Sequence, residues 1–254
     1  MVSPFSFKFV LILINDNFMF EALVITPVKD SPDTTLETIR SVYSSDVKVK
    51  HIIYNDFSTD ETKDILNANK ERYRFELINL KDVTTTPSPN YRLVLNMARE
   101  KALEMELPLI IVESDVEVKK DTLSNLIQLS RTNKKCGMVG AVTTDKNGQV
   151  NFPYLNFRNE KRPIVDTSHS LSFCCTLLSP ELLKNFSFDE LSEEKHWYDV
   201  FISRKSKQLG FRNYLAMNLP VVHKPHSSRP WKQLKYTNPI KYYFLKFIKK
   251  RDRI

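Results

Sequence analysis

Glycine is scarce in this chain, with four in 254 residues. That leaves no Gly-x-Gly-x-x-Gly turn after the first strand and no Walker A loop. A dinucleotide fold and a P-loop are therefore disfavoured, because both need glycine to bring backbone N–H groups against phosphate. Cysteine is nearly as rare. Three residues, two of them adjacent (Cys174 and Cys175), make no disulfide framework and read as reduced thiols of a cytosolic compartment. No run of 18 apolar residues exists, so no transmembrane helix is expected; the longest candidate, Phe7–Ile14, is too short. Asn15-Asp16-Asn17 supplies no small-residue cleavage site after it, so Met1–Glu21 reads as a leader of undetermined structure, with Met19 an alternative start. What is present is ordinary for a folded domain: 41% hydrophobic and 27% charged residues, over a length that buries a core without staples.

The formal charge of +8 is unevenly placed. From Lys224 to the C-terminus there are 10 basic residues against the single acid Asp252, a net +9, which leaves the first 223 residues at −1. Nucleic-acid binding needs basic charge distributed over a surface, so that class is disfavoured. Within 239–254, Ile240, Tyr242, Tyr243, Phe244, Leu245, Phe247 and Ile248 interleave with Lys241, Lys246, Lys249, Lys250, Arg251 and Arg253. A basic amphipathic segment predicts a helix lying on an anionic membrane surface. The alternative is that its apolar face packs on the rest of the chain. The expected location is cytoplasmic, peripheral to the inner face of a membrane.

From Ala22 strands and helices alternate. Strands are expected at Ala22–Thr26, Lys48–Tyr54, Phe75–Leu80 and Leu107–Val112, with helices at Asp33–Ser44, from a Ser58–Glu61 capping box to about Tyr73, and at Tyr91–Met105. Leu107–Val112 is apolar at nearly every position, as in a parallel strand buried on both faces. This is the α/β pattern of a doubly wound sheet to about Val142. The second half is less regular. It holds a turn at Lys146-Asn147-Gly148, a loop over Phe152–Arg162, a strand at Leu171–Leu178, a short helix opened by Ser179-Pro180, a helix over Ser192–Leu209 stopped by Gly210, and a last strand at Leu219–Val222.

In open α/β sheets ligands bind beyond the carboxyl ends of the strands. Those ends are polar here. Strand one runs into Thr26-Pro27-Val28-Lys29-Asp30, strand two into Asn55-Asp56 and Ser58, and strand four into Glu113-Ser114-Asp115. Two carboxylates flanking one residue repel each other unless a cation sits beside them, and hard oxygen ligands suit Mg²⁺ or Mn²⁺ that also holds substrate phosphate. Both acids solvated at a strand end is the plainer reading.

Ala22–Leu66 resembles the nucleotide-binding half of family 2 glycosyltransferases of the GT-A fold. That family opens with an apolar strand, Pro-Val-Tyr-Asn-Glu, a helix, a strand and Asp-Asp-Gly-Ser-Thr-Asp. This chain has Pro27-Val28-Lys29-Asp30-Ser31 and Asn55-Asp56-Phe57-Ser58-Thr59-Asp60. The resemblance implies that Asp56 holds the nucleotide base and that Glu113-Ser114-Asp115 stands for the family's Asp-x-Asp, with Asp115 the metal-binding acid. Asp199 lies eleven residues before Gly210, with Arg204 and Lys205 between, and matches the family's catalytic base. His223, ending a strand, matches the histidine that completes the metal or diphosphate site. The likeness runs over about 22–226, with 22–115 the nucleotide-binding half, 116–226 the acceptor half, and 227–254 a basic tail. The chain departs from the pattern at Ser31, Asn55, Phe57, Glu113 and Tyr198.

The resemblance implies inverting transfer from a nucleoside-diphosphate sugar, a UDP-sugar first, to a hydroxyl of a glycan or glycolipid. Asp199 would be the base. Asp115, Glu113 and His223 would hold Mn²⁺ or Mg²⁺. Thr26, Pro27, Val28, Asp30, Asp56, Arg92 and Ser114 would hold the donor, and Trp197 and Tyr198 would line the acceptor side. The alternatives are a non-catalytic nucleotide-sugar-binding protein and a nucleotidyltransferase, the second disfavoured by the missing glycine-rich loop. His51 and His169 have no evident partners, and no histidine is evidently placed to activate Cys174 or Cys175 as a nucleophile.

Overall fold

A computed structural model describes residues 20–192, 197–224 and 238–248. The leader, His196, His226 and most of the basic tail lie outside the described residues. Short apolar runs, Ala22–Ile25 and Leu109–Val112, make the central strands. β1 (Ala22–Val28) pairs in parallel with β2 (Val49–Asn55) and β4 (Leu109–Val112), and β3 (Glu76–Asn79) pairs in parallel with β2. Successive side chains of β1 enter opposite layers. Leu23 and Ile25 join the core under α3 (Tyr91–Glu104), while Ala22 and Val24 join Val42 of α1 (Pro32–Tyr43) and residues of α4 (Thr122–Thr132). A third cluster packs Ile39 and Leu66 of α1 and α2 (Asp60–Asn69) on Val28 and Ile53.

Beyond β4 the sheet becomes mixed. β5 (Val116–Glu117), β6 (Cys136–Thr144), β7 (Ile164–Asp166), β8 (Cys175–Leu178) and β9 (Arg212–His223) complete the order β3-β2-β1-β4-β8-β6-β9-β5, with β7 on β9. β8 runs antiparallel to both β4 and β6, and β6 returns to parallel pairing with β9. β6 escapes a period-based reading because Gly137 and Gly140 interrupt it. Gly137 has a packing reason: a Cβ there would meet Ser206 Oγ at 2.1 Å, so α6 (Tyr198–Gln208) lies close on the sheet. β9 is much longer than the expected Leu219–Val222, since Asn213, Asn218 and Pro220 break its apolar pattern without breaking the strand.

Two local signals behave as expected. Ser179 Oγ accepts from Leu182 N at 3.2 Å and caps α5 (Pro180–Asn185), and Gly210 closes α6 with φ of 84°. The Ser58–Glu61 capping box does not form. α2 begins at Asp60, and Ser58 Oγ instead accepts Asp30 N at 2.9 Å, a tie between two strand-end loops. The last helix, α7 (Pro239–Ile248), buries Tyr242 while Ile240, Tyr243 and Phe244 stay 84%, 58% and 63% exposed. Among the described residues no helix is long and apolar enough to cross a membrane.

Candidate active site

The loops after β1 and β2 are built around one another. Asp30 Oδ1 accepts Thr59 N at 2.8 Å, and Lys29 Nζ donates to the Phe57 carbonyl. Asp30, Ser31 and Phe57 have φ of 58°, 61° and 55°. Phe57 therefore keeps the left-handed backbone that glycine adopts most easily, a conformation costing a non-glycine residue roughly 1 kcal/mol or more. Thr26 Oγ1 hydrogen-bonds His51 Nε2 at 3.0 Å, so this hydroxyl is engaged inside the sheet. His51 thus has a partner the sequence did not reveal. Burial pulls its pKa down to about 3, leaving it neutral. Pro27 and Val28 continue β1 opposite Tyr54 and Asn55.

Asp56 is buried and accepts three hydrogen bonds, from Ser88 Oγ at 2.8 Å, Asn90 N at 2.9 Å and Asn90 Nδ2 at 2.8 Å. It pins the start of α3 against the end of β2. Two residues on, Arg92 donates from Nη2 to the Asp189 carbonyl at 2.9 Å and ties α3 to the turn at 188–190.

Glu113-Ser114-Asp115 turns from β4 into β5. Glu113 N donates to Cys174 O at 3.0 Å, and Val116 stands opposite His223 in the β5–β9 ladder. The topology therefore delivers the end of β9 to the end of β4. His223 Nε2 lies 3.6 Å from Asp115 Oδ2. Its Nδ1 is 2.8 Å from the Phe152 carbonyl, which can only accept, so Nδ1 carries a proton and Nε2 is the atom offered to the acids. Asn151 Nδ2 donates to the His223 carbonyl at 3.0 Å and steadies the same residue.

Charges here are strongly perturbed. Glu113 is half-buried as a residue, but its carboxylate reaches Cys174 Sγ at 3.5 Å, and Cys174 is only 2% exposed. The charged end is the sheltered end. Burial, then the Asp115 charge, raise Glu113 to about 7, and His223 opposes the rise. Burial would lower His223, but Asp115, the Phe152 carbonyl and Glu113 together outweigh it, so the imidazole is raised. Burial, then Glu113, push the Cys174 thiol well up.

Asp199 sits in the first turn of α6, half-buried, its Oδ1 accepting Val200 N at 2.8 Å. Its charge is among those that raise Glu113 and Tyr91. α6 is fastened in place. Ser206 Oγ donates to Asn213 Oδ1 at 2.7 Å, Asn213 Nδ2 to Ser203 O at 2.9 Å, and Leu171 N to Ser203 Oγ at 2.9 Å. Trp197 stands at the N-cap of α6, and Tyr198 is buried with its ring 6.0 Å from that of Tyr91.

Glu113, Asp115 and His223 thus come together from two distant segments, with Ser114 between the two acids, and the Asp199 charge bears on Glu113. Thr26, Pro27, Val28, Asp30 and Asp56 line the neighbouring strand ends, and Arg92 is anchored at the Asp189 turn. Sequence reasoning missed Cys174 and Tyr91. The expectation that no histidine is placed beside the paired cysteines is corrected for Cys174: His223 Nε2 lies 3.9 Å from its Sγ. Only sequence-distant pairing through β8 brings them together, so no local signal could have shown it. Two carboxylates and an imidazole with its far nitrogen held by a carbonyl are a donor set that fits a divalent cation.

No curated protein matches the chain. Solved structures do match in fold. The mannosyltransferase PcManGT from Pyrobaculum calidifontis, in complex with GDP-Man and Mn²⁺, aligns with TM-score 0.58 and 17% identity over 90% of this chain and 64% of its own. S. aureus TarS 1-349, in complex with UDP-GlcNAc, aligns with TM-score 0.62 and 19% identity over 90% and 65%. GalNAc-T7 with UDP, GalNAc and Mn²⁺ aligns with TM-score 0.58 and 12% identity over 83% and 45%. This chain spans less than two thirds of the length of each, and at these identities the likeness is one of fold, the GT-A α/β architecture. The sequence profile of glycosyl transferase family 2 matches residues 23–186, well over half the chain and through both acids of the Glu113–Asp115 turn. The chain belongs to glycosyl transferase family 2.

Proposed function

We propose that this glycosyltransferase moves a sugar from a nucleoside-diphosphate donor, with UDP-sugars the first choice, to a hydroxyl of a glycan or glycolipid, with inversion and with Mn²⁺ or Mg²⁺. The observation that carries this reading is the meeting of Asp115 and His223, 3.6 Å apart, with Glu113 beside them and the Asp199 charge bearing on Glu113. The neighbours solved with GDP-Man and Mn²⁺ and with UDP-GlcNAc support it at the level of fold.

Asp199 accepts the proton of the acceptor hydroxyl as that oxygen bonds to the anomeric carbon and the bond to the diphosphate oxygen breaks. Asp115, His223 Nε2 and Glu113 would hold the cation. The cation, when bound, offsets the negative charge that develops on the departing diphosphate. The backbone of Thr26–Val28, the Asp56-pinned start of α3 and Ser114 keep the donor still, and Arg92 and Asp30 stiffen the walls around it. Trp197 lines the acceptor side, with Tyr198 behind it.

A lipid-borne acceptor fits α7, whose Ile240, Tyr243 and Phe244 share one exposed face beside Lys241. In this reading the chain works at the anionic inner face of a membrane. A donor-hydrolysis and transfer screen across nucleotide sugars, with Mn²⁺ and with Mg²⁺, tests the function. Metal-dependent turnover of one donor is expected, and no turnover of any donor would sink it.

A further inference from the structure

One buried group at the site has no part in that mechanism: Cys174. Its Sγ lies 3.5 Å from Glu113 Oε2 and 3.9 Å from His223 Nε2, and one ligand atom from each of the three residues falls within 4.8 Å of the others. Two ligands of a tetrahedral Zn²⁺, at about 2.0 to 2.3 Å from the ion, stand about 3.3 to 3.8 Å apart. The Cys174 distances are close to that without rearrangement. The donors are thiol sulfur, imidazole nitrogen and carboxylate oxygen, a set suited to zinc, whereas Mg²⁺ and Mn²⁺ prefer oxygen. His223 also has the orientation of a zinc ligand, with Nδ1–H held by the Phe152 carbonyl.

We infer that Glu113, Cys174 and His223 form a Zn²⁺ site that overlaps the Mn²⁺ or Mg²⁺ site, so that the two metals exclude each other. Exclusion follows from valence. His223 Nε2 has one lone pair, and Asp115 with Mn²⁺ and Cys174 with Zn²⁺ both require it. Binding Zn²⁺ releases to solvent the thiol proton of Cys174 and any proton carried by His223 Nε2 or the Glu113 carboxyl, and the resulting thiolate, imidazole and carboxylate bond the ion with no change of oxidation state. Zn²⁺ then acts as an inhibitor competitive with the catalytic cation. The inference rests on the proposed role of Asp115 and His223 for its competitive part, and on the Glu113–Cys174–His223 cluster for its zinc part.

The test uses the metal-free full chain and its Cys174→Ser and Asp115→Asn variants, titrated calorimetrically with Zn²⁺ and with Mn²⁺. Zn²⁺ affinity should fall at least about tenfold in Cys174→Ser with Mn²⁺ affinity kept, and Asp115→Asn should weaken Mn²⁺ more than Zn²⁺. Unchanged Zn²⁺ affinity in Cys174→Ser overturns the inference. A second readout needs no variant: Co²⁺ bound to the wild-type chain should show the near-ultraviolet charge-transfer absorption of a thiolate–cobalt bond, and its absence at saturating Co²⁺ also overturns the inference. A wild-type chain that binds Zn²⁺ through Cys174 but binds no Mn²⁺ defeats the proposed catalytic metal and leaves the zinc site standing.

Discussion

His51 and His223 lie in opposite halves of one sheet, 4% and 6% exposed, and burial pushes both toward the neutral form. They nonetheless ionise in opposite directions. In the parallel half, His51 meets the Thr26 hydroxyl and the Phe75 ring, and no charge opposes its desolvation. In the mixed half, His223 faces Asp115 and Glu113 and is backed by a carbonyl, and these outweigh the same desolvation. The difference teaches where the chemistry is concentrated. The parallel half buries hydrogen-bonded polar groups, Asp56 among them, to shape loops, while the mixed half gathers acids around one imidazole.

The largest effect is expected at Asp199. Asp199→Asn should retain nucleotide binding and lose transfer by about 10²- to 10⁴-fold, measured as turnover of the donor found by screening. Comparable turnover would remove the catalytic role from the mixed half. Next comes Asp115→Ala, for which donor affinity should no longer respond to Mn²⁺, a loss of at least roughly tenfold by calorimetry. A preserved Mn²⁺ response would remove Asp115 from the metal site.

A third test acts on the parallel half. The folded pKa of His51, about 3, lies below its unfolded value near 6.5, so the unfolded chain binds the proton more tightly. This contribution is full above pH 6.5 and is lost as pH falls toward 3, about 2 kcal/mol of it by pH 5. His51→Gln should flatten that part of the stability–pH curve in urea unfolding, and an unchanged slope would mean His51 is protonated in the fold. The smallest effect on the chemistry is expected in α7. Phe244→Ala should lower partition onto anionic vesicles by about tenfold while hydrolysis of soluble donor stays as in the wild type. Equal partition would place the membrane contact elsewhere.

What was legible in either half rested on local signals. The apolar runs of β1 and β4, the Ser179 cap and the Gly210 stop each depend on residues a few positions apart. The capping box at Ser58 misled because Asp30 N, 28 positions away, competes for the same hydroxyl. β6 was obscured by Gly137, whose missing side chain makes room for α6. In the site, Glu113, Asp115, Asp199 and His223 could be named from residue type, position at strand ends and family likeness. Cys174 could not, since its partners are 61 and 49 positions away.

Residue order alone settled the kinds of element, their alternation and the concentration of basic charge in 224–254, and it marked Glu113, Asp115, Asp199 and His223 as candidates. Periodicity, caps and composition are short-range properties of a chain. Only the tertiary structure decided that β8 runs antiparallel between β4 and β6 and that β5 pairs with the end of β9. Those two pairings set Cys174 beside Glu113 and His223 beside Asp115, and with them the charge states of the site. Desolvation and proximity act through space, and distance in space is what folding creates.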